Sequence, residues 1–191
     1  MRIGLLGGSF NPIHKGHIAI AKTAIAQAVV DQVWFLPSGN HPFKSGKELL
    51  TLSKRIELIK IAIGEIPQLK ISKHDTNRKK PNYTSKLIKK LYKSYPEIRF
   101  YFIAGYDILE ELPKWHNYNW LKKNVNFIIV NRPNIDKDKT SQMYSNNFSF
   151  IKMAPVDVSS SQIRDLVKNG EPISSLVPAS IKDKIIEYYG N

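Results

Sequence analysis

A doubly wound parallel α/β sheet, with helices on both faces and a small helical part towards the C-terminal end, is the fold class this sequence predicts. Three observations predict it. Short apolar runs alternate with stretches of helical periodicity along most of the chain. The first run ends in the glycine turn Gly7-Gly8-Ser9, just where a helix begins. Beyond Met153 the alternation gives way to helices set off by Ser159, Gly170, Pro172 and Pro178.

Taken in order, Ile3 to Leu6 reads as a buried strand, and Ile18, Ala21, Ile25 and Ala28 mark one face of the helix after it. Val33 to Leu36 is the second strand, followed by a helix with Ile56, Ile59 and Ile63 on its inner face. Leu69 to Ser72 is the third strand. Segment 84–93 is an amphipathic helix with Leu87, Ile88 and Leu91 facing inward. Arg99 to Ala104 and Asn126 to Val130 are further strands, and the Asn-, Asp-, Lys- and Ser-rich stretch 132–147 reads as a mobile surface loop. Phe148 to Met153 is the last strand. Ser159 with Gln162 three residues later is a capping-box pattern that opens a helix, and Gly170 closes it. Residues 179–189 form a final helix ending in Tyr188-Tyr189. Strands separated by helices imply a parallel, Rossmann-like sheet covered on both faces, and such sheets bind ligands at the carboxyl ends of their strands.

The 191 residues suit a single domain, 1–191, whose helical part begins at about 155. A hydrophobic share of 42% and a charged share of 24% are those of a globular chain. No apolar run nears the roughly 20 residues that span a bilayer. The first run is too short for a signal peptide and breaks at Gly7, so a cytoplasmic protein is expected. The absence of cysteine excludes disulfides and thiolate metal sites. The net charge of +13 is spread over most helices, in pairs such as Lys79-Lys80, Lys89-Lys90 and Lys122-Lys123. A lysine-rich solvated surface accounts for it, and the same field draws polyanionic nucleotides towards a cleft. A dedicated nucleic-acid binder, the alternative from another class, lacks any accompanying recognition motif. The sequence leaves a homo-oligomer open.

Gly7 to His17 carries the chemistry. Unpaired N–H groups and the positive dipole end at a helix start attract anions, and glycines let a polyphosphate approach the main chain. His14 and His17, three residues apart, can donate to the same phosphate oxygens. Metal ligation by this pair is the weaker reading, because only His41, His74 and His116 are left as further imidazoles and there is no cysteine.

Gly8-Ser9-Phe10-Asn11-Pro12-Ile13-His14-Lys15-Gly16-His17 resembles the GxFxPxHxGH motif of the HxGH nucleotidyltransferase superfamily, and Ser159-Ser160-Ser161-Gln162-Ile163-Arg164 resembles its SSTxIR motif. Further segments, in order, resemble bacterial nicotinate-nucleotide adenylyltransferases. They are Pro37 to Lys44, Pro81 to Thr84, Gly105-Tyr106-Asp107, Leu112 to Asn117, Asn131-Arg132-Pro133 and Leu176-Val177-Pro178. The resemblance covers nearly the whole chain. It implies transfer of the adenylyl group of ATP to nicotinate mononucleotide, giving nicotinate adenine dinucleotide and pyrophosphate in NAD biosynthesis. The same chemistry on nicotinamide mononucleotide or another phosphorylated acceptor is the alternative. The departures are Asn11 where Asp is usual, Ser9 and Ser161 where Thr is common, Phe43 where Pro or His is frequent, and the absence of an acidic residue after Thr84, where Ser85-Lys86-Leu87 follows.

By resemblance His14, His17 and Arg164 are the catalytic residues. The two histidines would hold the ATP phosphates beside the backbone of Gly7, Gly8, Ser9, Phe10 and Gly16, and Arg164 would bind the β- and γ-phosphates with Ser160 and Ser161. Gly105 and Asp107 would meet the adenosine, Asp107 at ribose hydroxyls. Asn40, Lys44, Tyr83, Thr84, Trp115 and His116 would form the acceptor side. There Lys44 lies at the phosphate, Trp115 stacks on the pyridine ring, and backbone N–H groups near Thr84 and His116 receive the carboxylate. Mg²⁺ would be held mainly by phosphate oxygens.

Overall fold

The computed structural model describes residues 1–27, 29–39, 49–76, 83–131 and 147–190, and in it each apolar run is a strand. These are β1 (Arg2–Gly8), β2 (Gln32–Pro37), β3 (Leu69–Ile71), β4 (Arg99–Gly105), β5 (Asn126–Asn131) and β6 (Phe148–Lys152). They form one sheet in the order β3-β2-β1-β4-β5-β6, and every neighbouring pair is parallel. Successive residues of a strand point to opposite faces, so an apolar run feeds two cores at once. Leu6, Val33, Phe35, Ile103 and Ile128 pack into one core. Ile3, Leu5, Leu36, Phe100, Phe127 and Ile129 pack into the other.

The helices divide accordingly. Of α1 (Lys15–Ala26), α2 (Leu52–Ile63), α3 (Thr84–Ser94), α4 (Ile108–Glu111), α5 (Tyr118–Asn124), α6 (Ser160–Lys168) and α7 (Lys182–Tyr189), the first two and last two cover one face and the middle three the other. Burying each Leu or Ile this way stabilises the fold by about 1.5–3 kcal/mol. The chain leaves β1 towards β2 and β3, then crosses back to β4 on the opposite side of β1. That reversal opens a crevice at the carboxyl ends of β1 and β4.

Three details depart from expectation. In α2 the buried side chains are Arg55, Leu58, Ile59 and Ile63, while Ile56 is only half-buried. The inner stripe is therefore rotated from the one read off the isoleucines, with an arginine in it. Residues 106–125, of which only Tyr106-Asp107 and Leu112 to Asn117 were quoted above as landmarks, hold α4, a 3₁₀ turn at Leu112–Lys114 and α5. β3 and β6 each stop one residue early. The capping box at Ser159 is present, with Ser159 Oγ accepting from the Gln162 N–H at 3.1 Å and Gln162 Oε1 from the Ser159 N–H at 3.3 Å. Past the end of α6, Gly170 has the left-handed φ of 72° that such a helix exit favours. Ala28 and the stretch 132–146 lie outside the described residues. Among the described residues no helix is long and apolar enough to cross a membrane.

Candidate active site

A cavity of about 590 Å³ occupies the crevice. The ends of three strands form its floor: Gly7 and Gly8 of β1, Leu36 and Ser38 at β2, and Phe102 to Gly105 of β4. Beyond Gly8 the chain doubles back, with Phe10 at a left-handed φ of 47° and the Asn11–Pro12 peptide cis. The Phe10 ring is buried against Phe35, 5.6 Å between centroids, and stands edge-on to His17 at 4.9 Å. A Cβ on Gly8 would come within 3.2 Å of that ring, so glycine is what lets the loop fold tightly.

Arg55 locks the turn from below. It is 1% exposed. Its Nη1 donates to the Ser9 carbonyl at 2.6 Å, its Nη2 to the Ser38 carbonyl at 2.9 Å and its Nε to the Leu50 carbonyl at 3.0 Å. A buried guanidinium is tolerable only when its donors are matched in this way, and here they join β1, β2 and the start of α2.

The two histidines take different stations. His14 is the N-cap of α1 and is buried, and among the described residues its Nδ1 has no hydrogen-bond partner. Burial lowers its pKa to about 4, leaving the ring neutral at physiological pH. His17, in the first turn, lines the cavity and stacks on His14 with centroids 3.7 Å apart. Its Nδ1 accepts the His14 backbone N–H at 3.3 Å, which puts the proton of the neutral ring on Nε2. Gly16 is buried between them, and a Cβ there would stand 3.0 Å from Val158 and 3.1 Å from the His14 ring. Its place in the motif is thus explained by packing. The first N–H of α1, from Lys15, is taken by the Leu176 carbonyl at 3.0 Å, so the helix start is less open than a bare end would be.

The C-terminal helices hold the same loop from above. Arg164 Nη1 donates to the Asn11 carbonyl at 2.9 Å and Nη2 to Ser161 Oγ at 3.3 Å, while Ser160 Oγ donates to the Pro12 carbonyl at 2.8 Å. Asn11 Oδ1 accepts from the Tyr189 hydroxyl at 2.7 Å and from the Leu50 N–H at 3.0 Å. Burial raises the Tyr189 pKa and keeps that hydroxyl a donor.

Tyr83, Thr84, Trp115 and His116 gather at the other end of the cavity. Trp115 is half-buried, lines the cavity and stands edge-on to Phe102 at 5.7 Å. Helix α3 starts here with no acidic residue in its first turn, so its positive end is uncompensated. Asp75 is also in the wall, where burial pushes its carboxyl up to about 7. Much of the negative charge it would oppose to an anionic ligand is thereby suppressed. Among the described residues no group of three His, Cys, Asp or Glu side chains could hold a metal ion.

A cytidylyltransferase-like family model matches residues 5–166. The nicotinate-nucleotide adenylyltransferase of Bacillus subtilis is 32% identical over 186 residues, which cover 97% of this chain and 96% of that protein. A Staphylococcus epidermidis protein described as a probable nicotinate-nucleotide adenylyltransferase is 38% identical over 100% of this chain and 98% of its own length. The chain belongs to the nicotinate-nucleotide adenylyltransferase family. Its fold is also that of the Plasmodium falciparum nicotinic acid mononucleotide adenylyltransferase complexed with NaAD. That structure superimposes with a TM-score of 0.82 at 20% identity, covering 98% of this chain and 93% of that one.

Of the residues that the family resemblance singled out, Gly7, Gly8, His17, Gly105, Tyr83, Thr84, Trp115 and His116 share the cavity wall. Ser9, Phe10, His14, Gly16, Ser160 and Arg164 build or brace the loop that carries Gly8 and His17. Ser161 meets Arg164, and the exposed Asp107 stands at the start of α4, outside the wall. Asn40 and Lys44 lie outside the described residues. Reading the family motifs missed Arg55 and Asp75, and it noted Ser85 only as standing in place of an acidic residue. Arg55 left a trace as a charged residue at a helical spacing from Ile59.

Proposed function

We propose that this chain transfers the adenylyl group of ATP to nicotinate mononucleotide, releasing pyrophosphate, as the names of its relatives indicate. The observation that carries the reading is one cavity with a glycine turn and His17 at one end and Tyr83, Thr84, Trp115 and His116 at the other. Such a cavity suits two nucleotides meeting phosphate to phosphate.

A phosphate oxygen of the acceptor attacks the α-phosphorus of ATP in line. The bond from that phosphorus to the bridging oxygen breaks, and pyrophosphate leaves with the electron pair. The nucleophile is already ionised, so positioning and charge neutralisation suffice. His17 Nε2–H donates to phosphate oxygens as charge builds in the transition state. His14, neutral and stacked beneath, fixes the His17 ring and supplies the N–H that sets its tautomer. Arg164 adds positive charge beside the loop. Mg²⁺ would be held mainly by phosphate oxygens and would come with ATP as part of the substrate.

Full-length protein given ATP, Mg²⁺ and either nicotinate or nicotinamide mononucleotide should release pyrophosphate faster with the first. No release with nicotinate mononucleotide would sink the reading. Release only with the amide would move the assignment to that acceptor. Tight, salt-dependent binding of unrelated duplexes with no turnover would favour the nucleic-acid alternative.

A further inference from the structure

Resting on that reading of the acceptor, we infer that the imidazole of His116, oriented by Ser85 and Tyr83, is a specificity-determining group that selects a ring carboxylate over a carboxamide. The resemblance assigned this stretch only backbone N–H groups.

Ser85 lies in the first turn of α3 and is completely buried. A buried hydroxyl is costly to leave unpaired, and this one pairs with His116 Nδ1 at 3.0 Å, across to the loop between the 3₁₀ turn and α5. The same ring lies flat on Tyr83, with centroids 4.4 Å apart and planes 23° apart. Lys86 Nζ stands 5.1 Å from the Tyr83 ring. An otherwise exposed side chain is therefore held by a hydrogen bond on one edge and a ring on one face.

The consequence lies on the other edge. Taking the Ser85 hydroxyl as the donor to Nδ1 leaves the ring proton on Nε2. His116 lines the cavity next to Trp115 and Thr84, so Nε2–H is added to the uncompensated N-terminal end of α3. Asp75 and Glu111 also line the wall, but the start of α3 and Nε2–H are donors. A carboxylate accepts from both, with charge assistance, whereas a carboxamide turns an N–H₂ towards N–H groups and loses on one side. No acidic residue follows Thr84 to offset this. Ser85 stands there instead and its hydroxyl goes to the imidazole. His116 is the group that touches the acceptor, and Ser85 is a positioning residue acting through it.

The test is steady-state pyrophosphate release by the full-length protein, with each acceptor mononucleotide in turn. His116→Phe keeps a ring on Tyr83 and removes the N–H. It should raise KM for nicotinate mononucleotide about 10- to 100-fold while changing KM for the nicotinamide compound less than about threefold. Ser85→Ala should move the same ratio in the same direction by about 3- to 10-fold. A parallel rise for both acceptors, a loss confined to kcat, or no change in the ratio would overturn the assignment to His116 and leave the transferase reading standing. A wild-type protein that does not turn over nicotinate mononucleotide sinks both.

Discussion

At the β1 end of the cavity the side chains around the glycine turn are buried and multiply bonded, with Arg55 beneath, Arg164, Ser160 and Tyr189 above, and His14 stacked behind His17. At the α3 end Tyr83, Thr84 and Trp115 are half-buried and His116 is exposed. Among the described residues the hydrogen bond between Ser85 and His116 and a few ring contacts hold them. On the proposed reading the first end meets the same triphosphate at every turnover, and its rigidity places donors where charge develops, while the second admits, recognises and releases a small nucleotide. Loss of a group at the first end should therefore appear in rate or stability, and loss at the second in affinity and selectivity.

The sharpest break of this contrast is His17→Ala. It removes a transition-state donor and should lower turnover by roughly 10² to 10³ with the circular dichroism spectrum unchanged. A fully active variant would refute the role given to His17. Next, Arg55→Met leaves three carbonyls without their donor and should cost about 3 kcal/mol, lowering the melting temperature by ~6–12 °C. If the contrast is wrong, the variant will melt like wild type and show only a raised acceptor KM.

The pH dependence of stability sharpens the comparison further, because each end carries a displaced titration of opposite sign. The unfolded chain protonates His14 near 6.5, but the folded imidazole resists until about 4, so this group lowers stability as pH falls through that window. Asp75 holds its proton up to about 7 when folded but loses it near 3.8 when unfolded, so it lowers stability as pH rises between those values. The two slopes oppose each other in wild type. Asp75→Asn should gain stability relative to wild type between those two pH values, by on the order of 2 kcal/mol, in chemical denaturation at stepped pH. The smallest effect expected is that of Tyr189→Phe, which removes one hydrogen bond to Asn11 and should cost about 1 kcal/mol in the same measurement, with a modest rise in KM for ATP.

Much of this was legible in the sequence because the signals were local. The apolar runs and the Ser159 capping box specify strands and a helix start whatever surrounds them, and the glycine turn before His14 and His17 announces its chemistry. What escaped depends on contacts across the chain. Arg55 lies in a helix that also carries Lys54 and Lys60, where one more cation reads as part of a solvated face. Only the facing carbonyls of Ser9, Ser38 and Leu50 make its burial tolerable. Ser85 shows in the sequence only as standing where an acidic residue is usual, and its pairing with His116, 31 residues away, is not legible there. The division of labour between His14 and His17 follows from one being an N-cap and the other lying a turn inside, which a three-residue spacing alone does not distinguish. Helices α4 and α5 are too short to show a clear period.

The bond from Tyr189 to Asn11 joins residues 178 apart in sequence, and β1 reaches its second neighbour, β4, only across the whole first half of the chain. Contacts of such separation form late, after the intervening loops have closed. During synthesis the turn that carries His17 emerges well before Lys182–Tyr189, and its upper brace is not complete until that helix follows. A nascent chain therefore completes the geometry of this turn only once Lys182–Tyr189 is available, and until then its half-built sheet exposes strand edges that a chaperone would have to shield.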